Sequence, residues 1–229
     1  DRAQILYWAK AFNAEVQEGR LLSQFRCNGS DGYLSWLDGV LGIQEETANP
    51  TLEGIDYDFR VVDDPNELRR LIEERNREDD KARIVAGYCW DWVSKNNPDS
   101  VPDISIDDFS MYWNLSSDGT YAISKGSINQ VGCIHTTQGL EFSYVGVIIG
   151  DDLRFEKGNV ISDYTKRART DQSLKGLKGP IKKGDQEAMK TADIIIRNTY
   201  RTLMSRGMKG CYVYCTNKEL AHFLKTRIA

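Results

Sequence analysis

Nowhere in the 229 residues does an apolar run approach the roughly 18 residues that a membrane span needs, and no charged-then-apolar leader opens the chain. These absences predict a soluble, cytoplasmic protein with no membrane partner. Five cysteines are present, with no C-x-x-C pair and no His/Cys spacing of a zinc site. That excludes a disulfide framework and a structural metal, and predicts reduced thiols. Histidine is scarcer still, with only His135 and His222, and no Ser-His-Asp arrangement can be assembled from them. His222 falls in the last predicted helix as a surface or packing residue, whereas His135 lies in a Thr-, Gln- and Gly-rich turn that displays its side chains. The pattern G-x-x-x-x-G-K-[ST] is absent, so the backbone cradle and lysine that hold ATP phosphates are missing. By itself the chain is not predicted to be an efficient ATPase. A net charge of −4 excludes a globally basic nucleic-acid binder but not a local basic stripe.

What is present is enough apolar residue, 40% of the chain, to bury a full core. The length favours a single domain over residues 1–229 with an insertion at 151–184. The chain opens at Asp1 without a methionine, inside what reads as a helix, which predicts a segment of a longer protein. Ile5, Trp8, Ala9, Phe12 and Val16 form a helical stripe, and Arg20 to Cys27 reads as a short strand. Ser30 or Asp31 caps a second helix closed by Gly42, and Tyr57 to Val62 alternates into a strand. Asp64-Pro-Asn-Glu67 opens a helix with Leu68, Leu71 and Ile72 inward. Ala82 to Cys89 is the next buried strand. From Val131 the order becomes strand, polar turn, strand, insertion, helix, strand, helix. That alternation predicts an α/β fold with a mostly parallel sheet and helices on both faces. Thr216-Asn-Lys-Glu219 reads as a capping box for the last helix, whose stripe is Leu220, Phe223, Leu224 and Ile228.

The segment Arg154 to Lys183 departs from the rest, with nine basic residues against three acids, a local charge of +6 in a remainder near −10. Its glycines and polar residues leave little to bury, so it is predicted to be a basic surface insertion, mobile or partly ordered. It is either a solvated loop or a contact for nucleic-acid phosphates, with Lys166, Arg167 and Arg169 as candidates.

Near the end of the chain, Asn198 to Gly210 places Arg206 where an amphipathic helix runs out into a glycine-rich turn before the strand Cys211-Tyr-Val-Tyr-Cys215. This is an arrangement that holds a charged finger toward a phosphate. Upstream, Cys133-Ile-His-Thr-Thr-Gln-Gly-Leu-Glu-Phe142 is a polar turn feeding the apolar strand Tyr144 to Ile149. Ser23-Gln24-Phe25-Arg26-Cys27 adds a second arginine early in the chain.

On these residues the chain resembles the second RecA-like domain of a superfamily 1 helicase, closest to the bacterial Schlafen-like helicases, over most of its length. The resemblance implies that His135, Thr136 and Thr137 face a single strand of DNA or RNA, and that Gln138, Gly139 and Glu141 face a nucleotide. Cys133 stands where the family usually has threonine. Tyr200 to Gly207 matches the last motif, which makes Arg206 the finger toward the γ-phosphate. Ser23 to Cys27 matches an early motif, which makes Arg26 a second γ-phosphate sensor and Phe25 a platform for the base. ATP and Mg would both require an N-terminal RecA-like domain not contained in this sequence. Without the resemblance, Arg26 and Arg206 read as surface ion pairs, and Arg201 ranks below Arg206 as a residue of a solvated face. The aromatic residues Tyr88, Trp90, Trp92, Tyr112 and Trp113 are compatible with core packing or with base stacking. A non-catalytic module that binds nucleic acid or protein is the competing function.

Overall fold

The structure, a computed structural model, describes residues 2–16, 27, 30–97, 100–114, 121–122, 124 and 126–229. The predicted strand over Arg20 to Cys27 and the early motif with Phe25 and Arg26 lie outside the described residues, except for Cys27. Helix α1 (Arg2–Ala11) stops short of the predicted Val16, because Asn13 takes a left-handed φ of 53° that asparagine tolerates.

Local capping places the helices that follow. Ser30 accepts a 3.2 Å hydrogen bond from the Tyr33 amide and opens α2 (Asp31–Val40). Asp64 accepts from the Asn66 amide at 2.8 Å, and Pro65 sits in the first turn of α3 (Pro65–Asp79), which buries Leu68 and Ile72. At the other end of the chain, Asn217 caps α6 (Lys218–Thr226), one residue later than predicted. The Thr216 hydroxyl is engaged elsewhere, 2.7 Å from Asp151.

The described residues form nine strands: β1 (Asp58–Val62), β2 (Ala82–Ala86), β3 (Ile104–Ile106), β4 (Phe109–Trp113), β5 (Gln130–Gly132), β6 (Phe142–Ile149), β7 (Leu153–Glu156), β8 (Asn159–Ser162) and β9 (Gly207–Cys215). Seven of them form one sheet in the order β1-β9-β6-β2-β5-β4-β3. Every neighbouring pair is parallel except β3 with β4. This is the predicted α/β architecture, consistent with a RecA-like domain. Strands β7 and β8 form a separate antiparallel hairpin. Helices α4 (Lys178–Lys182) and α5 (Gln186–Met204) lie between that hairpin and β9. No helix among the described residues is long and apolar enough to cross a membrane.

Period-two alternation sends neighbouring side chains of the central strands into two cores. Val145, Val147 and Ile149 of β6 join Cys211, Val213 and Cys215 of β9 against α2, α5 and α6. Tyr144 and Ile148, with Tyr212 and Tyr214, meet Leu68 and Ile72 of α3 on the other face. Both faces of β2 are covered, and all five of its residues are buried. The aromatic segment settles into the second core: Tyr88, Met111 and Trp113 are buried, with the rings of Tyr88 and Trp113 stacked 5.2 Å apart.

The strand β9 begins at Gly207, four residues before the predicted Cys211, so Arg206 leads straight from helix to sheet without a glycine-rich turn. A β-carbon on Gly207 would lie 2.0 Å from the Gly210 carbonyl oxygen, a backbone atom that cannot step aside. We predict that Gly207→Ala lowers unfolding free energy by roughly 3 kcal/mol, measured as the urea midpoint.

Candidate functional site

The bend that carries Arg206 is tied down at each successive carbonyl. Tyr33 Oη donates to Met204 O at 3.1 Å, Cys27 Sγ to Ser205 O at 3.5 Å, the Phe142 amide to Arg206 O at 2.9 Å, and Tyr57 Oη to Gly207 O at 2.9 Å. Tyr33 and Tyr57 are buried with stacked rings 3.8 Å apart, so their hydroxyls are aimed by packing. Burial pushes both phenols well above their ordinary pKa, which keeps them as donors at neutral pH. No local pattern in the sequence marks Tyr33 or Tyr57 for this task, because their acceptors lie about 150 residues or more away. The Arg206 side chain itself is only 6% exposed, and its Nη1 donates to Leu140 O at 3.2 Å. Arg206 therefore contacts both neighbours of Glu141, Leu140 through its guanidinium and Phe142 through its carbonyl. Cys27, which follows Arg26 in the chain, reaches the same bend.

The Cys133–Phe142 segment crosses the sheet from end to end. Val131 pairs with Ile84, and Ile84 with Gly146, so Cys133 leaves β5 near the carboxyl ends of the strands. Phe142 enters β6 opposite Gly207, at their amino ends. His135 is exposed near the first end, whereas Gln138, Gly139 and Glu141 are exposed along the approach to the second. Glu141 borders a cleft of about 350 Å³ with Asp79, Asp80, Lys81, Ala122, Leu140 and Phe142. Two hydroxyls fold the turn: Thr136 Oγ1 accepts from the Cys133 amide at 2.9 Å, and Thr137 Oγ1 donates to Cys133 O at 3.0 Å. Thr136 stays partly exposed, but Thr137 is fully buried. Thr137, expected to face a nucleic-acid strand, here shapes the turn from inside.

The insertion carries structure of its own. Residues 151–184 hold the β7–β8 hairpin, the short helix α4 and a small core of Leu174 and Ile181 against Ala188 and Ala192 of α5. Arg167, predicted to meet phosphates, is buried: its Nη1 donates to Asp152 at 3.0 Å and its Nε to Asp171 at 2.7 Å. Tyr200 Oη donates to the other oxygen of Asp152 and accepts from the Gly150 amide at 3.1 Å. Gly87 makes room for this hydroxyl, which would lie 2.0 Å from a β-carbon there. Arg169 is exposed but paired with Asp91 at 2.9 Å. Lys166 is exposed and lines a cleft of about 420 Å³ at the carboxyl edge, beside Trp90, Asp107, Asp151 and Thr216. Arg201, ranked below Arg206, pairs with Asp38, and its neighbour on α5, Arg197, pairs with Asp193 and donates to the Leu41 carbonyl.

The sheet thus carries an arginine-bearing bend at one edge and an exposed polar turn that crosses to the other. Over residues 1–217 the chain matches the family model described as Schlafen group 3, DNA/RNA helicase domain, and it belongs to that family. It is similar to an uncharacterized protein of Saccharomyces cerevisiae, YPL245W, at 24% identity over 214 residues. That alignment takes in 87% of this chain and 46% of the yeast protein, so the chain spans about half the length of that relative. No solved structure matches it.

The Arg167 hub yields a prediction on stability. Arg167→Met leaves Asp152 and Asp171 buried without their cation, and is expected to cost about 3 to 5 kcal/mol at neutral pH, read from urea unfolding. Burial alone would raise the Asp171 pKa, but the charge and hydrogen bond of Arg167 hold it below the usual carboxylate range. A depressed carboxylate stabilises the fold above its unfolded value of about 4, and that stabilisation is lost as pH falls through the folded value. The gap between wild type and Arg167→Met therefore narrows on acidification below about pH 4.

Proposed function

We propose that this chain is the second RecA-like motor half of a superfamily 1 ATP-dependent DNA or RNA helicase or translocase, acting in the cytoplasm. The observation that carries this is the contact of Arg206 with both neighbours of Glu141, which brings the last motif and the crossing segment together at the amino edge of the sheet. Membership in a helicase-domain family supports it.

In this proposal ATP and Mg occupy a cleft formed with another RecA-like half of the longer protein, which supplies the phosphate loop and the magnesium ligands. Arg206 is assigned to the γ-phosphate at the amino edge, where charge-assisted hydrogen bonds to phosphate oxygens would be about twice as strong as neutral ones. Cleft closure would exchange the Leu140 contact for the phosphate and place positive charge where negative charge develops during transfer. Gln138, Gly139 and Glu141 would meet the nucleotide, with Phe25 and Arg26 joining from the early motif. His135 and Thr136, nearer the carboxyl edge, would hold the nucleic-acid strand. When hydrolysis releases the grip of Arg206, the cleft opens and the strand held by the turn shifts relative to the other half.

The test uses the longer protein with its ATP-binding half. Arg206→Ala is expected to lower ATP hydrolysis by about a thousandfold or more, with ATP affinity within a few-fold of wild type. Arg206→Lys should recover little, because a point charge does not reproduce the planar fork. Near-wild-type turnover in Arg206→Ala would remove Arg206 from the chemistry and favour a non-catalytic nucleic-acid or protein binding module.

A further inference from the structure

The basic insertion separates its arginines from its lysines. Arg154 is paired with Glu156 and Asp163, Arg167 with Asp152 and Asp171, and Arg169 with Asp91. None of the lysines at 157, 166, 175, 178, 182 and 183 makes an ion pair among the described residues. Four of those six fall between Gln172 and Gly184, a stretch without a single acid. Lys175, Lys182 and Lys183 are exposed, and Lys178 is half-buried with its Nζ 3.5 Å from the Ala168 carbonyl.

This stretch is built, not loose. Leu174 and Ile181 are 1% and 3% exposed, and with Leu177 they pack on Ala188, Ala192 and Ile195 of α5. Backbone hydrogen bonds run from Ile181 to Leu177, from Lys183 to Pro180 and from Gly184 to Ile181, and the buried Asp171 fixes the preceding turn through Ser173. An apolar underside thus holds a fixed turn-helix-turn that leaves Lys175, Lys182 and Lys183 exposed, with Lys178 half-buried between them. The acids next along the chain are Asp185 and Glu187, and the Asp185 carboxylate accepts from the Ala188 amide as the cap of α5. Like charges held close together without counter-charges destabilise the free protein, and a polyanion with regularly spaced phosphates relieves that repulsion while releasing its own counterions.

We propose that the surface bearing Lys175, Lys178, Lys182 and Lys183 binds the phosphate backbone of nucleic acid, as a contact separate from the His135 turn. It deepens the motor reading by adding a track for the strand, and its test needs no ATP, so the two stand or fall separately. The partner is recognised by phosphate charge, since nothing in this stretch offers an aromatic platform for bases.

The experiment titrates this chain with fluorescent oligothymidylate over a range of salt. Changing Lys175, Lys182 and Lys183 together to Ala is expected to weaken binding about tenfold at low salt and to reduce the slope of log affinity against log salt by about 2, at about 0.7 per lost contact on a single strand. A charge-matched variant, Arg69, Arg70 and Arg77 to Ala, removes three cations from α3, which packs on the opposite face of the sheet from α5. It is expected to leave affinity and slope within about twofold of wild type. Equal losses in both variants would reduce the effect to net charge and overturn the proposal. So would no loss in the lysine variant, no binding by the wild type, or capture by phosphatidylserine vesicles in place of the oligonucleotide. Unchanged thermal midpoints show that both variants are folded.

Discussion

Asp152 is fully buried just before β7, and the insertion takes its shape from how that one carboxylate is neutralised. A carboxylate in a dry interior costs several kcal/mol unless charge and hydrogen bonds surround it. Here Arg167 answers one oxygen and Tyr200 the other, while the Asp152 backbone carbonyl accepts from the Asp163 amide at 2.8 Å. These bonds return the chain from the β7–β8 hairpin to the main sheet and seat it against α5. The same helix carries Tyr200 at this junction and ends on the bend that presents Arg206. One helix therefore connects the anchored base of the insertion with the opposite edge of the sheet.

The two edges have different chemistry. At the amino edge, donors from Cys27, Tyr33, Tyr57 and Phe142 consume the carbonyls of the bend, so the backbone around Arg206 has little freedom while its side chain rests on the Leu140 carbonyl. At the carboxyl edge, the His135 turn is shaped by threonine hydroxyls folded back on Cys133 and leaves the imidazole in solvent. Phosphate chemistry suits a rigid, partly desolvated cation, and strand contact suits an exposed polar turn.

Much of this was legible in the sequence where the cause is local. Caps such as Ser30 and Asp64, the stripe of α6 and the alternating strands from Val131 onward all depend on residues a few positions apart. What stayed hidden depends on distant partners. An acid four residues on, Asp171, is too ordinary a helical spacing to mark Arg167 as interior; Asp152, 15 residues upstream, completes its buried pairing. Composition made the insertion look unable to bury apolar surface, because Leu174 and Ile181 gain their value from Ala188 and Ala192 on another helix. Thr137 looks like its neighbour Thr136, and the backbone geometry of the turn decides which of them faces inward. The start of β9 was misplaced because its glycines read as a turn, whereas they are there for clearance from Gly210, Asp58 and Tyr144.

The full or partial burial of all five thiols has a practical consequence. Cys27, Cys133, Cys211 and Cys215 are buried, and Cys89 is half-buried beside the Tyr200 hydroxyl. Desolvation pushes the Cys89, Cys211 and Cys215 thiols far above their ordinary pKa, so the nucleophilic thiolate is scarce at neutral pH. A single cysteine introduced on the surface would outcompete all five natural ones for a maleimide dye. The chain is thus a ready background for attaching one optical or spin probe at either edge of the sheet, without first stripping out its own sulfur.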